Sequence, residues 1–128
     1  MKMARLIVLL ALAASAARAE GACLVAGRDG QQAEGRLDRL KITTEAYGQT
    51  ETAFILFLAK PACLDGEDEY DKVASAGRIH VFSMDDKILR QLRANVGKNV
   101  RVTGSAFGEQ TIHHHAPIVM NVSEIARR

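Results

Sequence analysis

Apolar residues recur at every second position in five segments of this chain, and this period of two limits the possible folds more strongly than any other feature. It predicts β-strands with one face in a core. The five predicted strands lie at residues 31–43, 52–60, 77–83, 98–107 and 111–122. Phe54–Leu58 is apolar at both parities, which indicates a strand buried on both faces, and Pro61 is predicted to end it. In the first strand the apolar positions change parity near Asp38 and Arg39, which predicts a β-bulge there.

A single segment, residues 84–97, has the helical period instead. Its apolar stripe consists of Ile88, Leu89, Leu92 and Val96. Ser83 is the predicted N-cap, and Gly97 the predicted stop. The order of three strands, a helix and two strands is that of the OB-fold, a five-stranded Greek-key barrel with one α-helix between strands 3 and 4. We therefore expect a mainly β, OB-fold-like barrel, with another open sheet carrying one helix as the alternative.

The first 19 residues are predicted to be a cleaved signal peptide. Lys2 and Arg5 form a positively charged start, residues 6–14 an apolar stretch, and residues 17–19 a small-x-small cleavage site. The apolar stretch is shorter than the roughly 20 residues that span a bilayer, so no membrane anchor is expected after cleavage. Residues 20–128 are then expected to form a single OB-like β-barrel domain, periplasmic or secreted.

Cleavage would also change the charge balance. The chain has 17 Lys and Arg against 15 Asp and Glu, and the predicted signal peptide contains three of the basic residues and none of the acidic ones. The remaining chain would have a formal net charge of −1 and no basic stripe, which argues against a nucleic-acid partner.

The two cysteines, Cys23 and Cys63, both lie after the predicted cleavage site. In an oxidising compartment, an even pair in a small domain most often forms a disulfide. Closing a loop of this length stabilises a fold by about 4 kcal/mol on the chain-entropy model. We therefore expect a Cys23–Cys63 disulfide with a structural role.

Three of the four histidines are adjacent, at positions 113–115. If they lie on a strand, His114 shares the parity of the core positions that follow it, whereas His113 and His115 share the opposite face. Pro117 can shift the strand register at this end, so the assignment of the three side chains to the two faces depends on it. His113 and His115 could hold zinc or copper, with His80 from a neighbouring strand as a third ligand. This transition-metal site is the alternative interpretation of the triplet.

The leading interpretation is a binding surface. In OB-folds the loops after the first and fourth strands flank the usual ligand face. Tyr47 lies in the first of these loops, and Thr111, His113 and His115 lie beside the second. The serines fit no nucleophile-elbow pattern, and Glu109 is the only acidic residue near the histidines in sequence. We therefore expect a non-enzymatic binding module without a cofactor, an inhibitor or immunity-type protein that docks another protein or a cell-envelope ligand.

The C-terminal segment resembles a known family signature. "VGKNVRVTG" begins at Val96 and "TIHHHAPIV" at Thr111. Together they resemble the G-K-x-V-x-V-x-G and T-G-H-H-H-T-P-V pattern of an uncharacterised family of exported bacterial domains. The chain departs from this pattern at Ile112 and Ala116, where the family has Gly and Thr. The resemblance implies an exported domain in which the histidine triplet is a typical feature of the family, and it implies no particular activity.

We expect the exported protein to begin at or near Glu20 and to contain no free thiol. Intact-mass measurement of the secreted or periplasmic protein, with and without reduction and thiol alkylation, checks both points. A mass that still includes residues 1–19, or alkylation without prior reduction, would contradict this prediction.

Overall fold

The computed structural model of the protein describes residues 22–44 and 48–128, so the predicted signal peptide and Tyr47 lie outside the described residues. The strands are β1 (Leu24–Val25), β2 (Gln31–Thr44), β3 (Gln49–Asp65), β4 (Val73–Phe82), β5 (Asn99–Gly108) and β6 (Ile118–Arg127). The helix, α1 (Asp86–Ala94), follows β4, and a short 3₁₀ turn, Glu69–Asp71, precedes β4. In the described part of the chain, no helix is both long and apolar enough to cross a membrane.

Five strands close into a barrel. The order β3-β2-β5-β6-β4 returns to its start because β4 also pairs with β3. The β4–β6 ladder is parallel and the other four ladders of the barrel are antiparallel. The short β1 adds to β3 in parallel, outside the ring. This closed, mixed, mainly β barrel with one helix confirms the expected OB-like fold class.

Alternating side chains of the barrel strands fill one apolar core. Leu37, Leu56, Ile79, Val102 and Met120 come from five different strands and are fully buried in the same cluster. Helix α1 contributes most of its predicted stripe: Ile88 and Leu92 are buried in this cluster, and Leu89 packs against it, as does Val96, which lies just beyond the end of the helix. The apolar side of the helix is therefore part of the barrel core.

The predicted N-cap of the helix was wrong. The Asp85 carboxylate accepts hydrogen bonds from the backbone N–H groups of Lys87 and Ile88 and so caps α1. The Ser83 hydroxyl instead accepts the backbone N–H of Asp85, at 3.0 Å. Both residue types can cap a helix, and Asp85 does so because it directly precedes Asp86, the first residue of α1.

The predicted end of the second long strand at Pro61 was also wrong. β3 continues through Pro61 to Asp65. Its register with β4 shifts between Phe57 and Ala62, and again before Leu64. Pro61 lies in the irregular stretch, where the missing N–H costs no regular ladder bond.

The predicted bulge near Asp38 and Arg39 is absent, because the β2–β3 ladder has no register shift from Gly35 to Thr44. Instead, β2 changes its neighbours: its pairing with β5 ends at Arg36. The β3–β4 pairing ends at Phe54, the partner of Arg39, so that from Leu40 and Ala53 outward β2 and β3 form a two-stranded arm. The parity change therefore marks where side chains of β2 stop facing the barrel core.

The disulfide between Cys23 and Cys63 is present and confirms the predicted pairing. It joins residues 40 positions apart and ties the segment before β1 to the distal part of β3. The bond therefore stabilises the side of the barrel where β3 is irregular.

Gly35 should not tolerate a side chain, because a Cβ there would lie 2.1 Å from the carbonyl oxygen of Phe57. We expect Gly35→Ala to lower the free energy of unfolding by about 1 to 3 kcal/mol. Gly77→Ala is the matched control, since nothing lies within 4 Å of its Cβ position. Urea denaturation of both variants checks this, and equal stability of the two would contradict the close approach of β2 and β3.

Candidate functional site

The three adjacent histidines lie in a loop, not in a strand. The β5–β6 ladder ends at the pair Gly108 and Ile118, and residues 109–117, called here the histidine loop, connect the two strands. Pro117 immediately precedes the first residue of β6, and its lack of an N–H fits a boundary of the ladder. The prediction that strand alternation sorts the histidines was therefore wrong.

The histidine loop covers the outer wall of the barrel. Among the described residues, the buried apolar side chains outside the core cluster are those of Ala53, Ile55, Ala116 and Val119. Ala116 belongs to the loop, whereas Ile55 and Val119 are neighbours of His80 in the sheet, on β3 and β6. Residues of the outer wall are thus buried because the loop folds back over them.

Ring contacts define how the loop sits on this wall. The His115 ring stacks on the His80 ring at 5.5 Å between centroids. The His114 ring meets His80 and Phe107 edge-on, at 6.4 and 5.4 Å. Because all these contacts lie outside the core cluster, the prediction that His114 points into the barrel was wrong. His115, whose side chain is 10 % exposed, is buried more deeply than its position beside the loop predicted.

Two histidines accept hydrogen bonds from the backbone. The Nδ1 of His80 accepts the N–H of His115 at 3.2 Å, and the Nδ1 of His114 accepts the N–H of Gln110 at 3.0 Å. A ring nitrogen that accepts carries no proton, so both rings hold their proton on Nε2. The pKa of His80 is lowered to about 4, first by burial and then by the neighbouring His115 and His114, while Glu51 opposes this shift. His80 is therefore neutral at neutral pH.

The other two histidines donate to one carboxylate. Glu51 of β3 accepts a hydrogen bond from Nδ1 of His113 on its Oε1 and another from Nε2 of His115 on its Oε2, the latter at 2.9 Å. The hydrogen bond from His115, followed by that from His113, lowers the pKa of Glu51, so this carboxylate is ionised at neutral pH. Since an ionised carboxylate only accepts, both imidazole nitrogens that face it carry protons.

Sequence reasoning missed Glu51. It is 62 positions from His113, and only the fold-back of the histidine loop brings the two together. A signal was available: Glu51 is the last residue of the first of the two predicted loops that flank the OB-fold ligand face, and the histidines lie beside the second. An acidic residue at that position was a candidate partner for the triplet.

The predicted site residues have different outcomes. His80, His113 and His115 are brought into one cluster with Glu51. Thr111 is exposed, and its hydroxyl accepts the backbone N–H of His113 at 3.2 Å, so it shapes the loop. In residues 22–44 and 48–128, no group of three or more His, Cys, Asp and Glu side chains is arranged to hold a metal ion.

The fold and site define an OB-like β-barrel domain whose outer wall carries a histidine loop bonded to a carboxylate. Residues 78–126 match the model of an uncharacterised family, described as a domain of unknown function (DUF4431), which confirms the expected family resemblance for this part of the chain. The matched range includes His80 and the histidine loop, and Glu51 lies outside it. A comparison with curated proteins finds no match.

Acid should destabilise the protein through His80. Because its pKa is about 4 in the folded chain and ordinarily 6.5, the unfolded chain binds this proton first. The free energy of unfolding should therefore fall as the pH falls from 6.5 to about 4. Glu51, whose pKa is lowered, contributes in the same direction at lower pH.

His80→Asn isolates the contribution of His80, since an amide oxygen keeps an acceptor for the N–H of His115 and does not titrate. Urea denaturation in steps from about pH 7.5 to about pH 4 should show a shallower decline for this variant than for the unsubstituted protein. An identical decline would contradict the role assigned to His80.

Proposed function

We propose that this chain is a non-enzymatic binding module of the cell envelope, periplasmic or secreted, which docks another protein or an envelope ligand through the histidine loop. An inhibitor or immunity-type role fits this proposal. The observation that carries it is the Glu51 carboxylate, which fixes His113 and His115 at the surface of the barrel wall. The disulfide supports the assignment to an oxidising compartment.

The loop is built as a preorganised surface. His80 and His114 each accept backbone N–H groups of the loop, and Glu51 holds two of its side chains. A loop that is already ordered loses less conformational entropy when it binds a partner. The order of the histidine loop therefore supports recognition by a fixed surface.

The exposed part of the loop has the composition of a docking surface. His113 has 63 % of its side chain exposed, and Ile112 is 56 % exposed. Thr111 and Gln110 are also exposed and can form hydrogen bonds. An apolar side chain among hydrogen-bonding groups is typical of the centre and rim of a protein interface.

Two further facts favour binding over catalysis. Both cysteines are joined in the disulfide, so neither thiol is available as a nucleophile. Nδ1 of His80 and Nδ1 of His114 each accept a hydrogen bond from a backbone N–H of the loop, so both nitrogens have a structural role. These rings support the loop and leave the exposed His113 for contact with a partner.

The alternative proposal is a zinc- or copper-binding protein that uses His113 and His115, with His80 as the third predicted ligand. The convergence of the two imidazoles on one carboxylate favours it, because nitrogen and carboxylate oxygen are donors that these ions accept. His80 would have to release the N–H of His115 if its Nδ1 were to bind the ion.

Affinity capture from an envelope extract, with residues 20–128 as bait, tests the binding proposal. We expect His113→Ala to lower the affinity for the captured partner at least about tenfold with only a small change in melting temperature, because the pair that this side chain forms with Glu51 lies at the surface. Glu124→Ala is the matched control, since Glu124 is exposed and lies on the part of β6 remote from the loop.

The same proteins titrated with zinc and copper test the alternative. Micromolar or tighter metal binding that is lost in both His113→Ala and His115→Ala would support the metal-binding protein. Equal capture by the His113→Ala and unsubstituted baits would refute docking through the histidine loop.

A further inference from the structure

Two imidazole N–H groups meet the two oxygens of a single carboxylate at Glu51. Nδ1 of His113 donates to Oε1 and Nε2 of His115 donates to Oε2. Two donors aimed at two oxygens give the bidentate arrangement by which proteins recognise carboxylates, and the negative charge strengthens both bonds. The pair of histidines therefore has the chemistry of a carboxylate receptor.

The His115 ring and the backbone of the histidine loop are held by contacts other than Glu51. His115 is largely buried, its ring stacks on His80, and its backbone N–H donates to Nδ1 of His80. The backbone N–H of His113 donates to the hydroxyl of Thr111 within the same loop. These contacts set the position of the histidine loop independently of the Glu51 carboxylate.

The acceptor side is held less firmly. The β3–β4 ladder ends at the pair Phe54 and Val81, so Glu51 lies three residues beyond it. In the sheet, Glu51 pairs with Ile42 of β2, on the two-stranded arm that extends beyond the β2–β5 pairing. A two-stranded hairpin by itself has marginal stability in water. Glu51 therefore belongs to a part of the sheet that the closure of the five-stranded barrel does not depend on.

We propose that His113 and His115 form a carboxylate-binding site which Glu51 occupies within the chain, and that a carboxylate of the binding partner takes the place of Glu51. This inference rests on the proposed docking function and names the chemistry of its ligand. Contacts of the partner with the exposed Ile112 and Thr111 favour its carboxylate over the internal one. While Glu51 is bound to His113 and His115, small free carboxylates compete poorly for the site, whereas a partner that also contacts the loop can displace Glu51.

Removal of Glu51 tests this with acetate as the probe. NMR of isotope-labelled histidine rings follows acetate titration of purified Glu51→Ala at neutral pH. We expect saturable shifts of the His113 and His115 signals, with an apparent affinity at least about tenfold tighter than in the unsubstituted protein, where Glu51 competes. Glu51→Ala/His113→Ala should lose this response, and Glu124→Ala should match the unsubstituted protein.

Glu51→Gln provides a second variant that keeps the shape of the side chain and removes its charge. Acetate should bind it more tightly than it binds the unsubstituted protein, because an amide has an N–H₂ where one imidazole needs an acceptor. Sodium chloride at equal ionic strength is the anion control, and it should not reproduce the acetate shifts.

Three results would overturn the inference. The first is no acetate response in either Glu51 variant, and the second is an equal response to chloride. The third is micromolar zinc binding by the unsubstituted protein that disappears in Glu51→Ala, because Glu51 would then be a metal ligand. The titration needs no partner, so its failure is distinguishable from a failure of the capture experiment.

Discussion

The parallel pairing of β4 with β6 is the constraint on which the rest of the structure depends. It closes the ring of strands, and parallel neighbours need a long connection, which α1 and β5 provide. The same pairing sets Val119 beside His80, so the chain enters β6 next to that ring. Barrel closure therefore places the histidine loop, which immediately precedes β6, on the outer wall.

One consequence is that the four chemically identical histidine side chains have two different hydrogen-bonding roles. His80 and His114 accept backbone N–H groups, whereas His113 and His115 donate to a carboxylate. Burial keeps His80 neutral, which preserves the acceptor that holds the loop. The loop is thus organised by hydrogen bonds whose direction is set by the environment of each ring.

The fold class and the apolar helix stripe could be predicted from the sequence because periodicity is a local signal. The disulfide could be predicted because two cysteines allow a single pairing. The site could be predicted only in part. The spacing of the histidines does not reveal that their segment leaves the sheet, and the Glu51 contact arises from loop fold-back across 62 positions. Ser83 and Asp85 offered equivalent capping chemistry, so composition alone could not separate them.

The two-stranded arm also has a consequence for how molecules of this protein behave at high concentration. Along Asp38–Thr44, β2 has β3 as its only ladder neighbour within the described residues, which leaves one strand edge open. Open edges can recruit strands from other molecules. Here the Asp38 carboxylate accepts the backbone N–H of Arg39 at 2.9 Å, and the exposed Lys41 adds a charge beside the edge. Charged side chains such as Asp38 and Lys41 beside an open edge disfavour edge-to-edge pairing with another molecule.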